Sequence, residues 1–232
     1  MRNITVLILA GALGFASPVM AQHGHAATEK SIEMNQAWSE QVAAVAGAAA
    51  RFESPNREVI ARRDAIVAAM DLKPGEAVAD VGAGTGAYLK ALAEAVGSDG
   101  HVYAVDISAP FVAHMRDRVG TEGLTNVSVI LSRVDSPTLP PGALDSILVV
   151  NTFHHFEAPE AMLGHFLRAL KPGGELVIVD FDLAAGHAGH RDVVALDKAG
   201  HVQLIEAHGF RVLEDVKAAG LKENFLLRFV PR

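Results

Sequence analysis

Two hydrophobic rhythms share this chain. Short apolar runs that alternate or stay continuous recur at 78–81, 101–106, 126–131, 144–150 and 175–181. Between them, apolar residues fall three and four apart: Tyr88, Leu89, Leu92 and Val96, then Phe111, Val112, Met115 and Val119, then Met162, Leu163, Phe166, Leu167 and Leu170. The first spacing is that of strands and the second that of helices with one buried face. The run Leu144 to Val150 is almost wholly apolar, as expected where both faces of a sheet are covered. Strands alternating with helices predict a parallel, doubly wound α/β sheet. Beyond residue 182 the pattern changes to a short helix around 202–206 and strands over 210–216 and 224–230. Residues 217–223 are too few for a helical crossover, so these last two strands are expected to pair antiparallel as a hairpin.

Two helical stretches precede the first strand. From Ser31 to Arg51 the spacing of Trp38, Val42, Val45 and Ala49, in an alanine-rich context, predicts one amphipathic helix lying across the main domain. Ser54-Pro55-Asn56 opens a second helix, expected to run to about Asp71 with Val59, Ile60, Ile66, Val67 and Met70 on one side. Arg62 and Arg63 read as a solvated face. Arg57, at the helix start, reads either so or as a cation facing an anionic group. Further upstream, Arg2, the apolar run Ile4 to Phe15 and the small-residue end Val19-Met20-Ala21 have the form of a cleavable secretory signal over 1–21, leaving Gln22 first. The apolar run is short for a membrane span of about 20 residues. The expectation is an exported, periplasmic chain with no stable membrane span after cleavage. Residues 22–56 then form a tail and amphipathic helix, and 57–232 the main domain. His23 and His25 on that tail read as incidental.

Composition narrows the chemistry. Half of the 232 residues are hydrophobic, enough for one sizeable core. The net charge of −7 and the absence of any run of Lys or Arg speak against a nucleic-acid partner. With no cysteine, disulfides, thiolate nucleophiles and cysteine-held zinc or iron–sulfur centres are all excluded.

The stretch Val78-Ala79-Asp80-Val81-Gly82-Ala83-Gly84-Thr85-Gly86-Ala87 reads as a strand, a glycine turn and a helix start. Glycine lets backbone pass close to a ligand, and the first amides of the helix face it. Asp106 ends the next strand, 20 residues after Gly86, where a carboxylate can accept hydrogen bonds from both hydroxyls of a ribose. Taken alone, it is equally a cap for the following helix. The turn fits the dinucleotide fingerprint as literally as any other, so a nicotinamide cofactor remains open at this level.

Several elements in order carry a more specific resemblance: Asp80-Val-Gly-Ala-Gly-Thr-Gly86, Asp106, the Leu139-Pro140 loop before Asp145, Leu170-Lys-Pro-Gly-Gly174 before a strand, and the closing hairpin. Over about Arg57 to Phe229 the chain resembles the class I S-adenosylmethionine-dependent methyltransferases. The resemblance implies a seven-stranded, mostly parallel sheet with one antiparallel strand, and S-adenosylmethionine as cofactor. It implies that Gly82, Gly84 and Gly86 admit the methionine part and that Asp80 helps position its amino group. Asp106 would hold the ribose, Ile107 would pack on the adenine, Asp135 would meet the adenine amino group, and Asn151 would lie near the sulfonium. The partner implied is a small-molecule or protein methyl acceptor.

Methyl transfer from an activated sulfonium asks the protein mainly for alignment and a dry site. A base helps where the nucleophile must lose a proton. His154 and His155, just past the fourth strand, are the candidates, with near-neutral titration suited to the task. The opposing expectation is that one caps the next helix while the other packs between Phe153 and Phe156. His187, His190 and His201 could be drawn together as a metal site, but the glycines at 186, 189 and 200 suggest loop ends, and no metal is expected. A nicotinamide-dependent oxidoreductase and a non-enzymatic binder on the same scaffold are the competing readings.

Overall fold

The computed structural model describes residues 27–40, 42–185, 192–217 and 219–232. The expected signal, His23, His25, His187 and His190 lie outside them. Seven strands form one sheet: β1 (Ala77–Val81), β2 (His101–Asp106), β3 (Val127–Leu131), β4 (Leu144–Val150), β5 (Leu170–Phe181), β6 (Phe210–Asp215) and β7 (Asn224–Pro231). Their order is β3-β2-β1-β4-β5-β7-β6. The first five pair in parallel, while β7 runs antiparallel between β5 and β6. The doubly wound sheet and the terminal hairpin are therefore as the sequence predicts.

The period-two pattern sorts the strand residues onto two cores. Ala79 and Val81 of β1, Ile147 and Val149 of β4, and Leu176 and Ile178 of β5 share one core with Leu163 and Phe166 of α7 (Pro159–Ala169) and Ile205 of α8 (Lys198–Ala207). Val78, Leu148, Val177 and Val179 face the opposite way. They meet Ile66 and Val67 of α4 (Arg63–Ala69), Leu89 and Leu92 of α5 (Leu89–Val96), and Met115 of α6 (Ala109–Glu122).

Some boundaries differ from expectation. The stretch after Asn56 is two short helices, α3 (Glu58–Ala61) and α4, because the backbone leaves helical geometry at Arg62, with φ −110° and ψ 12°. The fifth strand starts at Leu170 rather than Glu175: Leu144 pairs with Leu170, and a register shift then accommodates the Pro-Gly-Gly turn. Leu170 is buried from the strand, not from the helix. In the N-terminal stretch, helical segments α1 (Glu29–Glu40) and α2 (Val42–Phe52) lie on either side of Gln41. Both pack on α6, where Trp38, Val45, Ala48 and Phe52 gather around Phe111. Arg118 of α6 ties α2 down through Glu53 at 2.7 Å.

The order of the strands reverses between β1 and β4, since β2 follows β1 on one side and β4 flanks it on the other. A crevice opens outside the carboxyl ends at such a point. Here it is shaped by a close approach: a Cβ built on Gly82 would stand 2.0 Å from Thr152 Cγ2, and Gly82 has φ +74°. Thr152 Oγ1 also donates to the Gly82 carbonyl at 3.2 Å. A second tie crosses from α3 to the loop before β7. The Glu58 carboxylate accepts from the backbone N–H groups of Lys222 at 2.6 Å, Glu223 at 2.8 Å and Asn224 at 2.9 Å.

Gly82→Ala combines positive-φ strain with a steric clash, and is expected to cost more than about 2 kcal/mol in denaturant titration. An unchanged unfolding midpoint would contradict the seating of Thr152. Glu58→Ala removes the acceptor of three amides and should cost about 2 kcal/mol, read as a lowered melting temperature, with Glu58→Gln falling between the variant and the parent.

Candidate active site

A cavity of about 790 Å³ occupies the crevice. Its floor is the end of β1 and the glycine turn, and its walls come from the ends of β2 and β4, the 3₁₀ turn Phe153–His155 and the β3–β4 loop. Met34, Asn35 and Trp38 of α1 and Arg57 and Glu58 at the start of α3 close the remaining side.

Of the residues expected at the site, Asp80, Gly82, Gly84, Asp106, Ile107, Asn151, His154 and His155 all line this cavity. Gly86 and Asp135 do not. Gly86 has φ +78°, and an added Cβ would meet Leu89 at 2.8 Å and Met115 at 3.2 Å, so its small size serves the packing of α5 against α6. Asp135 is exposed and paired with Arg133 at 3.3 Å, while Ser132, Arg133 and Val134 supply the wall instead. Asp135 lies four residues beyond the end of β3, in the loop that leads to β4.

The two buried acids differ in their partners. Asp106 accepts from the N–H of Gly84 through Oδ2 and from the N–H of Ser108 through Oδ1, both at 2.8 Å. Burial pushes its carboxyl up to about 6, although the amides of Ser108, Gly84 and Ile107 work the other way. Ribose binding and helix capping are compatible here, because each oxygen keeps a second lone pair. Asp80 is buried, and its Oδ2 has no hydrogen-bond partner among the described residues. Burial, with the Asp106 charge beside it, pushes Asp80 up to about 7. A sealed, unpartnered carboxylate in a cavity wall is costly without a cation or donor from a ligand.

That cavity also holds a cation. Arg57 donates Nη1 to the Phe52 carbonyl at 3.0 Å and stands over the Phe52 ring at 5.5 Å, with no carboxylate partner among the described residues. Burial lowers its pKa, the Tyr88 hydroxyl partly opposing. Of the two sequence readings of Arg57, the structure favours the anion-facing one. Arg62 is exposed as expected, whereas Arg63 is half-buried and donates to the Ala87 carbonyl at 3.2 Å.

The two histidines have unequal surroundings, and neither caps a helix. His155 Nδ1 donates to the Ser31 carbonyl at 3.4 Å, and its ring lies 5.3 Å from Trp38. Burial and then the neighbouring His154 push it down to about 3, so it is neutral. His154 is buried and its Nδ1 bonds Asp180 Oδ1 at 2.8 Å. Burial alone would push Asp180 up, but His154 and His201 beside it hold the carboxyl below its usual range.

Asn151 has φ +47° and its Oδ1 accepts from Asn224 Nδ2 at 2.7 Å, so its side chain braces the end of β4 against the start of β7. Residues that the sequence reading does not assign to the site include Asp180, Ser108, Trp38 and Asn224. Ser108 Oγ donates to the Trp38 carbonyl at 2.8 Å and so links Asp106 to α1. Only the acid at the end of β5 carried a sequence signal, as a lone charge within an apolar strand.

Comparison with known proteins agrees with this arrangement. Residues 78–174 match the family model described as a methyltransferase domain. Over 111 residues the chain is 32% identical to the ubiquinone/menaquinone biosynthesis C-methyltransferase UbiE of Hydrogenovibrio crunogenus, covering 47% of this chain and 44% of that one. It is 30% identical over 115 residues to the UbiE of Burkholderia cenocepacia, covering 50% and 47%. The chain thus spans less than half the length of these curated relatives. Its fold superposes on a SAM dependent methyltransferase from Aquifex aeolicus with a TM-score of 0.71 at 27% identity, covering 82% of this chain and 97% of the other. Residues 78–174 thus match a methyltransferase domain, and the strand order and fold are those of an S-adenosylmethionine-dependent methyltransferase.

Proposed function

We propose that the protein transfers the methyl group of S-adenosylmethionine to a small acceptor held in the same cavity. The observation that carries this reading is Asp80, a buried carboxylate that makes no hydrogen bond among the described residues, set in the wall of a cavity also lined by Arg57, whose guanidinium has no carboxylate partner among them. A cation and an anion so placed fit a zwitterionic amino-acid group: Asp80 would take the ammonium and Arg57 the carboxylate. Asp106 would take the ribose hydroxyls, with Ile107 against the base. When bound, the cofactor supplies a methyl group already activated on a sulfonium. The chain's residues hold it, keep water out through α1 and Trp38, and align an acceptor from the side of the 3₁₀ turn. His154 is the group placed to take a proton from that acceptor. His155, neutral and tethered to Ser31, is a wall rather than a base. The UbiE relatives are named for quinone biosynthesis, which supports a small organic acceptor over a protein.

Export remains part of the reading, supported by Arg2, the apolar run and the small-residue end of 1–21. Intact-mass measurement of the protein recovered from the periplasm should show a chain beginning at Gln22. A full-length mass would refute cleavage.

Calorimetry should find tight binding of S-adenosylhomocysteine and none of NAD. Tight NAD binding with no S-adenosylhomocysteine binding would overturn the assignment. Asp80→Asn should weaken the same ligand by about tenfold or more, since the charge-assisted bond to its ammonium is lost. Asp80 and Asp106 sit above their ordinary value, so between about pH 4 and pH 7 the ligand-free folded protein retains protons that the unfolded chain has released. Their contribution to stability is present at low pH and lost as pH rises through 6 and 7. A ligand ammonium favours the ionised form, so affinity should rise over that window and binding should expel protons, read as a buffer-dependent heat.

A further inference from the structure

The end of β5 carries a second buried cluster behind the cavity. Asp180 is wholly buried, its Oδ1 accepting from His154 Nδ1 at 2.8 Å and from the N–H of Phe181 at 2.8 Å. Its Oδ2 faces His201 Nε2 of α8 at 3.5 Å, longer than a formed hydrogen bond. His201 is itself fully buried and donates Nδ1–H to the Asp197 carbonyl at 2.8 Å. Burial alone would push Asp180 up, but the flanking His154 and His201 hold its carboxyl below the usual range, so it is ionised inside the core.

An ionised Asp180 allows His154 only one neutral tautomer. Nδ1 must carry the proton it donates, which leaves the lone pair on Nε2. That nitrogen makes no hydrogen bond among the described residues and is not one of the sealed, unpartnered atoms, while His154 itself lines the cavity. The other titratable group touching the ring is His155, 4.4 Å away and neutral. The His154 ring has one nitrogen committed to a buried carboxylate and the other available to a ligand. That is the arrangement of an oriented general base.

We propose that Asp180, supported by His201, is a positioning residue that presents His154 Nε2 as a proton acceptor, and that the methyl acceptor is accordingly a phenol or enol whose O–H must be broken. This rests on the methyltransferase reading above. In the step, the acceptor O–H bond breaks and its proton passes to His154 Nε2. The oxygen pair forms the new bond to the methyl carbon, directly or through the conjugated carbon. The carbon–sulfur bond breaks with its electrons retained by sulfur, and on the carbon route the carbon gives up its own proton as the conjugated system is restored. The imidazolium, stabilised by Asp180, returns its proton to water. Trp38, Phe156, Phe181 and Met162 in the cavity wall suit a planar, largely apolar molecule.

The probe is 4-nitrophenol, whose phenolate has a visible absorption band, added to the protein saturated with S-adenosylhomocysteine at a pH below the probe's own ionisation. The phenolate band should grow when the probe binds the parent protein. Asp180→Asn keeps an oxygen toward His154 Nδ1–H and the Phe181 N–H while its amide donates to His201 Nε2, so the tautomer is kept but the charge that stabilises the imidazolium is lost: the probe should bind with affinity within about threefold but with the band lost. His154→Gln keeps a bond to Asp180 and removes the base, and should behave alike, which guards against Asp180→Asn failing to fold. A band equally strong in the parent and His154→Gln, or no probe binding to the parent, overturns the proposal. Failure of S-adenosylhomocysteine to bind the parent would instead count against the methyltransferase reading itself. Nitrogen NMR of His154 supplies the readout that a purely structural role would not move: with the probe bound, Nε2 protonated in the parent and unprotonated in Asp180→Asn.

Discussion

The seating of Thr152 on Gly82 is the contact on which the site depends. It joins the ends of β1 and β4, the two strands between which the strand order reverses, and leaves no room for a side chain between them. From one side of that joint the chain enters the glycine turn, which sends the Gly84 amide to Asp106. From the other it enters the 3₁₀ turn that brings both histidines to the cavity. Movement at this joint would shift acids and histidines together, because Asp80, His154 and His155 are only a few residues from it and Asp106 is bonded to the Gly84 amide.

The sheet was legible because its signal is local and repeated. Five apolar runs of strand length, separated by helical spacing, leave few alternatives, and the short 217–223 connection decides the direction of the last strand. Helix ends were harder to read. Arg62 sits in a stretch whose apolar residues keep helical spacing, and only tertiary packing of α3 and α4 explains the interruption. The N-terminal stretch similarly reads as a helix, but nothing in its alanines says that Trp38 will meet Phe111.

The site was legible where one residue type has one use. Asp80, Gly82, Gly84 and Asp106 come with a fixed spacing, and all reach the crevice. Asp135 lies outside the crevice, because in a loop no repeated pattern fixes where a side chain points and this one pairs with Arg133. The roles of His154 and His155 could not be separated in sequence, since adjacent identical residues differ only through distant partners: Asp180 and Ser31 lie on opposite sides of the pair. Gly86 shows a related ambiguity, because a glycine spared for a ligand and one spared for a packed leucine look the same in a motif.

The link from Asp106 through Ser108 to the Trp38 carbonyl has one more consequence. The chain contains a single tryptophan, and it stands where α1 meets the cavity between Phe52, Phe111 and His155. The protein therefore carries one intrinsic optical label, placed at the joint through which the covering helix is fastened to the floor of the site. Its emission reports the polarity and quenching at that joint, with no second indole to blur the signal.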